Sequence, residues 1–264
     1  MSDPRPVGVF DSGIGGLSVL RALTERLPNE KFIYLADQAR VPYGPRPIEE
    51  VREFSEEITE ALLARTAKLV VVACNTASAA ALMHLRARYP VPFVGMEPAV
   101  KPAAETTRTG VVGVLATPAT FQGELYASVI ERFAQGVRVL QHAPLGLVEQ
   151  IEAGRFDSGE TRQILERALA PMLAAGIDTI VLGCTHYPFV IPQIEAIAGP
   201  GVRVIDPSPA VAAQTGRVLE KEGLRAGGET IGGVRFLTTG DPVRMAAQVR
   251  VLVGMVGDVE QVEL

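Results

Sequence analysis

Short runs of β-branched and other apolar residues, each followed by an amphipathic stretch of helical period, recur along the chain. This alternation constrains the fold more than any other feature. The expected strands are Val7–Phe10, Phe32–Ala36, Leu69–Ala73, Val111–Leu115, Val137–Leu140, Thr179–Leu182, Val202–Ile205 and Val234–Leu237. The expected helices are Gly16–Leu27, Ile48–Arg65, Ala77–Arg88, Thr120–Ala134, Glu160–Ala175 and Pro209–Glu222. Strands that alternate with helices of this length build parallel sheets covered on both faces. A run such as Leu69-Val70-Val71-Val72-Ala73 is apolar at every position, as a strand buried on both sides requires. The fold class is therefore α/β.

Two of these strands share one design. Lys68-Leu-Val-Val-Val-Ala-Cys74-Asn-Thr76 and Asp178-Thr-Ile-Val-Leu-Gly-Cys184-Thr-His186 each run from a buried strand through a cysteine and small polar residues into a helical stretch. The cysteines stand 110 residues apart, the size of one small α/β unit. With 264 residues the chain has room for two such units. The expected division is an N-terminal unit, residues 1–97, completed by 210–264, and a C-terminal unit, residues 98–209. The turn at Met96-Glu97-Pro98 marks the boundary, and the segment after Pro209 either extends the second unit or crosses back to the first.

Composition narrows the function classes. The net charge is −5, without the excess of positive charge expected of a nucleic-acid-binding surface, so no nucleic-acid partner is expected. No apolar run approaches a membrane span, and the first residues carry neither a basic region nor an apolar one of the signal-peptide kind. No membrane partner and a cytoplasmic location are expected. Cys74 and Cys184 are the only cysteines, and no C-x-x-C is present, so chemistry or packing suits them better than cross-linking. Cys184-x-His186 is a poor metal-ligand spacing, and no metal is expected.

Ligands of open α/β sheets bind beyond the carboxyl ends of the strands. Four loops at such ends carry unusual polar content: Asp11-Ser12-Gly13-Ile14-Gly15-Gly16, Asp37 through Tyr43-Gly44, Cys74-Asn75-Thr76, and Cys184-Thr185-His186. The first lacks the spacing of a dinucleotide fingerprint and the Lys-Ser/Thr of a P-loop. Each cysteine precedes an expected helix start, where free N–H groups favour a thiolate. His186 lies two residues from Cys184, while Asp11 could approach Cys74. Partners of different kinds suit two thiols that alternate as acid and base better than one nucleophile with a triad. Each thiol alone could equally be a packed core residue.

Phe10-Asp-Ser-Gly-Ile-Gly-Gly-Leu17, Pro42-Tyr-Gly44, Val72-Ala-Cys-Asn-Thr-Ala-Ser78 and Leu182-Gly-Cys-Thr-His-Tyr-Pro188, in this order, closely resemble the aspartate/glutamate racemase family. His186 is like the glutamate branch, where the aspartate branch typically has Glu. The resemblance implies two similar domains related by a pseudo-twofold axis, with the active site in the cleft between them. It implies cofactor-independent interconversion of L- and D-glutamate, supplying D-glutamate for peptidoglycan, with glutamate as the small-molecule partner. Cys74 would deprotonate the D-isomer with help from Asp11, and Cys184 the L-isomer with help from His186. Substrate contacts would fall to Asp11, Ser12, Tyr43, Gly44, Asn75, Thr76, Thr185 and His186, with Asp37, Thr117, Thr120 and Glu152 in a second rank. The run before Glu152 departs from the family's usual Cys-Pro-containing stretch. Whether the chain forms a homodimer is left open. The competing readings are a racemase of another small acid such as aspartate, and a non-catalytic two-domain binding protein.

Overall fold

A computed structural model of the chain describes residues 2–228 and 231–264. Two wholly parallel sheets organise it. The first contains β1 (Val7–Asp11), β2 (Lys31–Ala36), β3 (Leu69–Val72) and β4 (Phe93–Val94). Helices α1 (Leu17–Arg26), α2 (Ile48–Ala64) and α3 (Asn75–Arg88) make the crossovers between them. After α4 (Val100–Thr106), the second sheet is built from β5 (Val111–Ala116), β6 (Arg138–His142), β7 (Thr179–Gly183) and β8 (Arg203–Ile205). Its connections carry α5 (Pro118–Gln122), α6 (Glu124–Phe133), α7 (Leu147–Glu152), α8 (Gly159–Ala174), a 3₁₀ turn at Tyr187–Val190, and α9 (Ile191–Ala198). The chain then returns through α10 (Ser208–Lys221), which packs on α1, to β9 (Gly233–Thr238), α11 (Pro242–Val253) and β10 (Val259–Gln261).

Strand order makes the two halves comparable. The first sheet reads β10-β9-β2-β1-β3-β4 and the second β6-β5-β7-β8. In each, the opening strand lies between the next two, and the fourth follows the third. β3 and β7 are thus topological equivalents, and the two cysteines follow them. The returning segment adds β9 beside β2, in register from Lys31 with Gly233 to Ala36 with Thr238.

The continuous apolar runs have the expected cause. Val7 and Val9 pack on one face of the first sheet with Leu17, Leu20 and Leu69, while Phe10, Val70 and Val72 pack on the other with Ile58, Leu62 and Leu85. The second sheet divides likewise, with Ile180 and Leu182 on one face and Val181 on the other.

Two expected helices differ. Thr120–Ala134 is two helices, because Gly123 takes an extended backbone between α5 and α6. A Cβ on Gly123 would come within 2.7 Å of the Ala79 Cβ on α3, so the break lets α3 approach closely. After Cys184 the chain forms the 3₁₀ turn with Pro188 in its first positions before α9 begins, so Cys184 does not stand at the start of an α-helix.

Candidate active site

The carboxyl ends of both sheets face one cleft of about 120 Å³. Ser12 from the loop after β1 lines it, with Tyr43 and Gly44 after β2, Cys74, Asn75 and Thr76 after β3, and Thr117 after β5. Cys184, Thr185 and His186 after β7 form the facing wall. Four residues singled out from the sequence stand behind these walls instead: Asp11, Asp37, Thr120 and Glu152. The sequence reading did not single out Pro45, Ala116, Pro118, the stretch Ala143–Gly146, Val148 or Glu149, and it held Pro42 and Tyr187 only within longer motifs. The 143–146 stretch follows β6, so its place at a strand's carboxyl end was the available signal. Among the described residues, no arginine or lysine lines the cleft.

Cys74 is the N-cap of α3. Its sulfur accepts a hydrogen bond from the Ala77 N–H at 3.5 Å, and its thiol donates to Ser12 Oγ at 3.9 Å. Burial, and next the neighbouring Asp11 carboxylate, push the Cys74 thiol well above its ordinary pKa against the pull of the Ala77 N–H. Asp11, fully buried, accepts from the Gly13 and Gly16 N–H groups at 3.1 and 3.0 Å and from Thr185 Oγ1 at 3.3 Å. It thereby fixes the glycine loop and reaches the opposite wall. Burial raises Asp11 above the usual carboxylate range, with His186 and the two N–H groups opposing.

Cys184 has a different partner. Its sulfur is 3.8 Å from His186 Nδ1, and His186 Nε2 is 2.8 Å from Glu152 Oε1. The same Glu152 oxygen accepts from the Ile14 N–H at 2.8 Å. Burial would depress His186, but hydrogen bonds to Cys184 and Glu152 outweigh it and hold the imidazole well above its ordinary pKa. Burial would likewise raise Glu152, and His186 together with the Ile14 N–H brings it below its ordinary value. Both directions favour an imidazolium–carboxylate pair beside Cys184.

The glycine loop makes room for that pair. A Cβ on Gly13 would overlap the Glu152 carboxylate, and one on Gly15 would overlap the His186 ring. Tyr34 OH donates to the Gly13 carbonyl at 2.8 Å, and Ser18 Oγ reaches the Thr185 carbonyl at 3.1 Å. Close passage of facing loops, rather than phosphate binding, accounts for this motif.

The remaining residues support the walls. Asp37 accepts from Tyr43 OH, from Arg40 Nε at 2.6 Å and from Thr239 Oγ1 at 2.7 Å, so it anchors Tyr43 from behind. Thr117 accepts from the Thr120 N–H at 3.2 Å, capping α5, and shares a hydrogen bond with Thr76 at 2.9 Å. Both side-chain polar atoms of Asn75 are buried on the cleft wall without a hydrogen-bond partner among the described residues, free to bind a polar ligand. His84 pairs with Glu56 between α3 and α2, away from the cleft. Among the described residues, no three His, Cys, Asp or Glu side chains are grouped to hold a metal, and no helix is long and apolar enough to cross a membrane.

Comparisons with known proteins agree with this geometry. The family model of the Asp/Glu/Hydantoin racemases matches residues 7–215. A glutamate racemase of Roseiflexus sp. (strain RS-1) is 56% identical over 250 residues, covering 93% of this chain and 92% of the relative. The crystal structure of a glutamate racemase isoform from Bacillus anthracis superposes with a TM-score of 0.90 at 34% identity, covering 98% of this chain and 97% of that one. A glutamate racemase from Francisella tularensis in complex with D-glutamate gives 0.86 at 29% identity, covering 99% and 98%. The paired cysteines, the cleft they share and these full-length likenesses make the chain a member of the Asp/Glu/Hydantoin racemase family.

Proposed function

We propose that the chain interconverts L- and D-glutamate, with Cys74 and Cys184 as alternating acid and base on opposite sides of the α-carbon. One observation carries this reading: the two free cysteines follow equivalent strands of two similarly ordered sheets and border one cleft. Relatives about half identical over nearly the whole chain are glutamate racemases, and the Francisella homologue holds D-glutamate.

From the D-isomer, the Cys74 thiolate takes the α-proton and becomes a thiol, while the Cys184 thiol delivers its proton to the far face and becomes the thiolate. From the L-isomer the roles exchange. Asp11 assists Cys74, and His186, steadied by Glu152, assists Cys184. Burial beside Asp11 leaves Cys74 a poor acid in the unliganded site, and the substrate ammonium supplies the positive charge that offsets this. The carboxylates are held by Asn75, Thr76, Thr117, Thr185 and Ser12 with nearby backbone N–H groups, since among the described residues the cleft presents no basic side chain but His186. Tyr43 and Gly44 close its side, with Asp37 and Thr120 behind.

The cleft lies between a unit of residues 1–97 completed by 210–264 and a unit of 98–209. The mechanism needs no cofactor. Its D-glutamate serves peptidoglycan synthesis in the cytoplasm, and the chain works as a monomer or a homodimer.

The test follows L-glutamate in D₂O without pyridoxal phosphate, by circular dichroism and by NMR at the α-position. The expected result is loss of optical activity with deuterium in the D-product, and no turnover of aspartate. Cys74→Ser or Cys184→Ser lowers the rate by about 10²–10⁴ while the fold survives. Near-normal turnover by both variants would refute the two-thiol mechanism.

A further inference from the structure

We propose that Gln248 and Arg244 on the C-terminal helix α11 are positioning residues for the Cys184 side of the site, holding Glu152 and His186 in register with that thiol.

Glu152 is the last residue of the six-residue helix α7, where a carbonyl lacks an intrahelical partner. Two donors from α11 reach that carbonyl: Arg244 Nη2 and Gln248 Nε2, each at 2.8 Å. The side chain of the same residue accepts from His186, whose other ring nitrogen faces Cys184. The main chain of Glu152 is therefore pinned by one element and its carboxylate committed to another. A second contact closes the ring, because Gln248 Oε1 accepts from Gln38 Nε2 at 2.9 Å, and that nitrogen also lies 3.4 Å from Glu152 Oε2. Gln38 Oε1 accepts in turn from Thr238 Oγ1 at the end of β9.

α11 can bear on this point because its inner face is fixed. Met245 and Val249 are buried against the first sheet, and Asp241 caps the helix through the Val243 and Arg244 N–H groups. Arg244 also brings positive charge to the carboxyl end of α7, a favourable place for it. Among the described residues Cys74 has no corresponding tie, since its sulfur is held by its own helix and by Ser12. The two halves of the site are thus supported differently: Cys74 locally, and Cys184 through a helix that belongs to the other sheet.

The test has two independent arms. The first does not depend on the racemase reading. The chain has three histidines, His84, His142 and His186, so the NMR signal of His186 is assigned by its loss in His186→Asn. Besides Cys184 and Glu152, Asp11 acts on this imidazole. In Gln248→Ala, and more so in Gln248→Ala/Arg244→Ala, the His186 titration midpoint falls toward the ordinary histidine range while His142 holds its own. An unmoved His186 midpoint would overturn the proposal.

The second arm rests on the function proposed above, and wild-type turnover is measured first. Without wild-type turnover that function fails, and the NMR arm alone decides this proposal. With it, the double variant loses about tenfold in kcat, with KM within about twofold, because the relay is misplaced rather than the substrate released. Arg244→Lys, which keeps a cationic donor, restores most of the loss caused by Arg244→Ala. Arg250→Ala, an exposed change on the same helix, has no effect. In a His186→Asn background the loss disappears, since the element it acts through is gone. The same tenfold loss in that background would mean that α11 supports the fold alone, and would also overturn the proposal.

Discussion

Replacing Gly15 by alanine isolates the demand that the facing walls place on the glycine loop. Gly15 does not adopt a positive φ, so alanine meets no backbone penalty there and its whole cost is space. The added methyl would overlap His186 Nδ1 and lie 2.6 Å from Thr185 Oγ1 and 2.7 Å from His186 Cε1. Neither neighbour is the loose end of a flexible chain, because His186 is tied to Glu152 and Thr185 to Asp11. Overpacking of this kind costs about 1–3 kcal/mol. At about 2–4 °C per kcal/mol for a chain of this size, that lowers the melting temperature by roughly 2–12 °C. Activity suffers more, since relief requires His186 to turn from Cys184, and a misplacement of about 1 Å costs on the order of 10²-fold in kcat. Gly159→Ala is the matched control. It lies in the first turn of α8 with open space around it and no positive φ, and should stabilise by about 0.4–1 kcal/mol without changing turnover. Thermal unfolding and the circular-dichroism racemisation assay read both effects. Near-normal turnover by Gly15→Ala would show that the loop does not need this space for His186, and the reasoning would fail.

Lys68 and Glu30 form a buried ion pair at 2.6 Å, with Lys68 also donating to the Asp3 carbonyl and Glu30 accepting from the Ala226 N–H. Lys68→Met leaves the carboxylate unpaired and costs about 3–5 kcal/mol in denaturant unfolding, whereas Lys68→Met/Glu30→Gln recovers part of it; equal losses would refute the pairing argument. Asp178 accepts from the Arg108 and Thr109 N–H groups and from the Thr107 and Thr179 hydroxyls. Burial opposes them, but these donors bring its pKa down to about 2. A depressed carboxylate contributes stability that is complete above its unfolded pKa and is lost as pH falls through the folded one. The gap in unfolding free energy between wild type and Asp178→Asn should be constant near neutrality and shrink between about pH 4 and pH 2, and a gap independent of pH would contradict this. At the alkaline side, the raised His186 contributes stability complete below its unfolded pKa and lost as pH rises through its folded one. Wild type should therefore lose stability relative to His186→Asn as pH climbs above the ordinary histidine range, measured by the same unfolding series.

What the sequence disclosed follows from which signals are local. Buried parallel strands such as Leu69–Val72 and Thr179–Gly183 announce themselves because both faces must be apolar. The two residues of β4 and the three of β10 carry no such pattern, since a strand that short is specified by its neighbour. α11 was left out although Asp241-Pro242 is a sound start signal, an acceptor that caps the helix followed by proline in its first turn. Cys74 and Cys184 were legible because their motifs lie in continuous sequence. The partners of Glu152 were not, since Ile14, Gln38, Arg244 and Gln248 are far from it along the chain and only the fold brings them together.

The pairing of β2 with β9 also has a consequence for how the protein is made. Residues 31–36 bond on one side to β1 within the first seventh of the chain, yet their other edge waits for residues 233–238. On a ribosome, that edge stays open while the whole second sheet emerges. An unpaired strand edge is a template for wrong partners, and contacts so distant in sequence form slowly. Chain release therefore completes the first sheet last, and a polypeptide cut short before β9 would leave β2 exposed as a seam for aggregation.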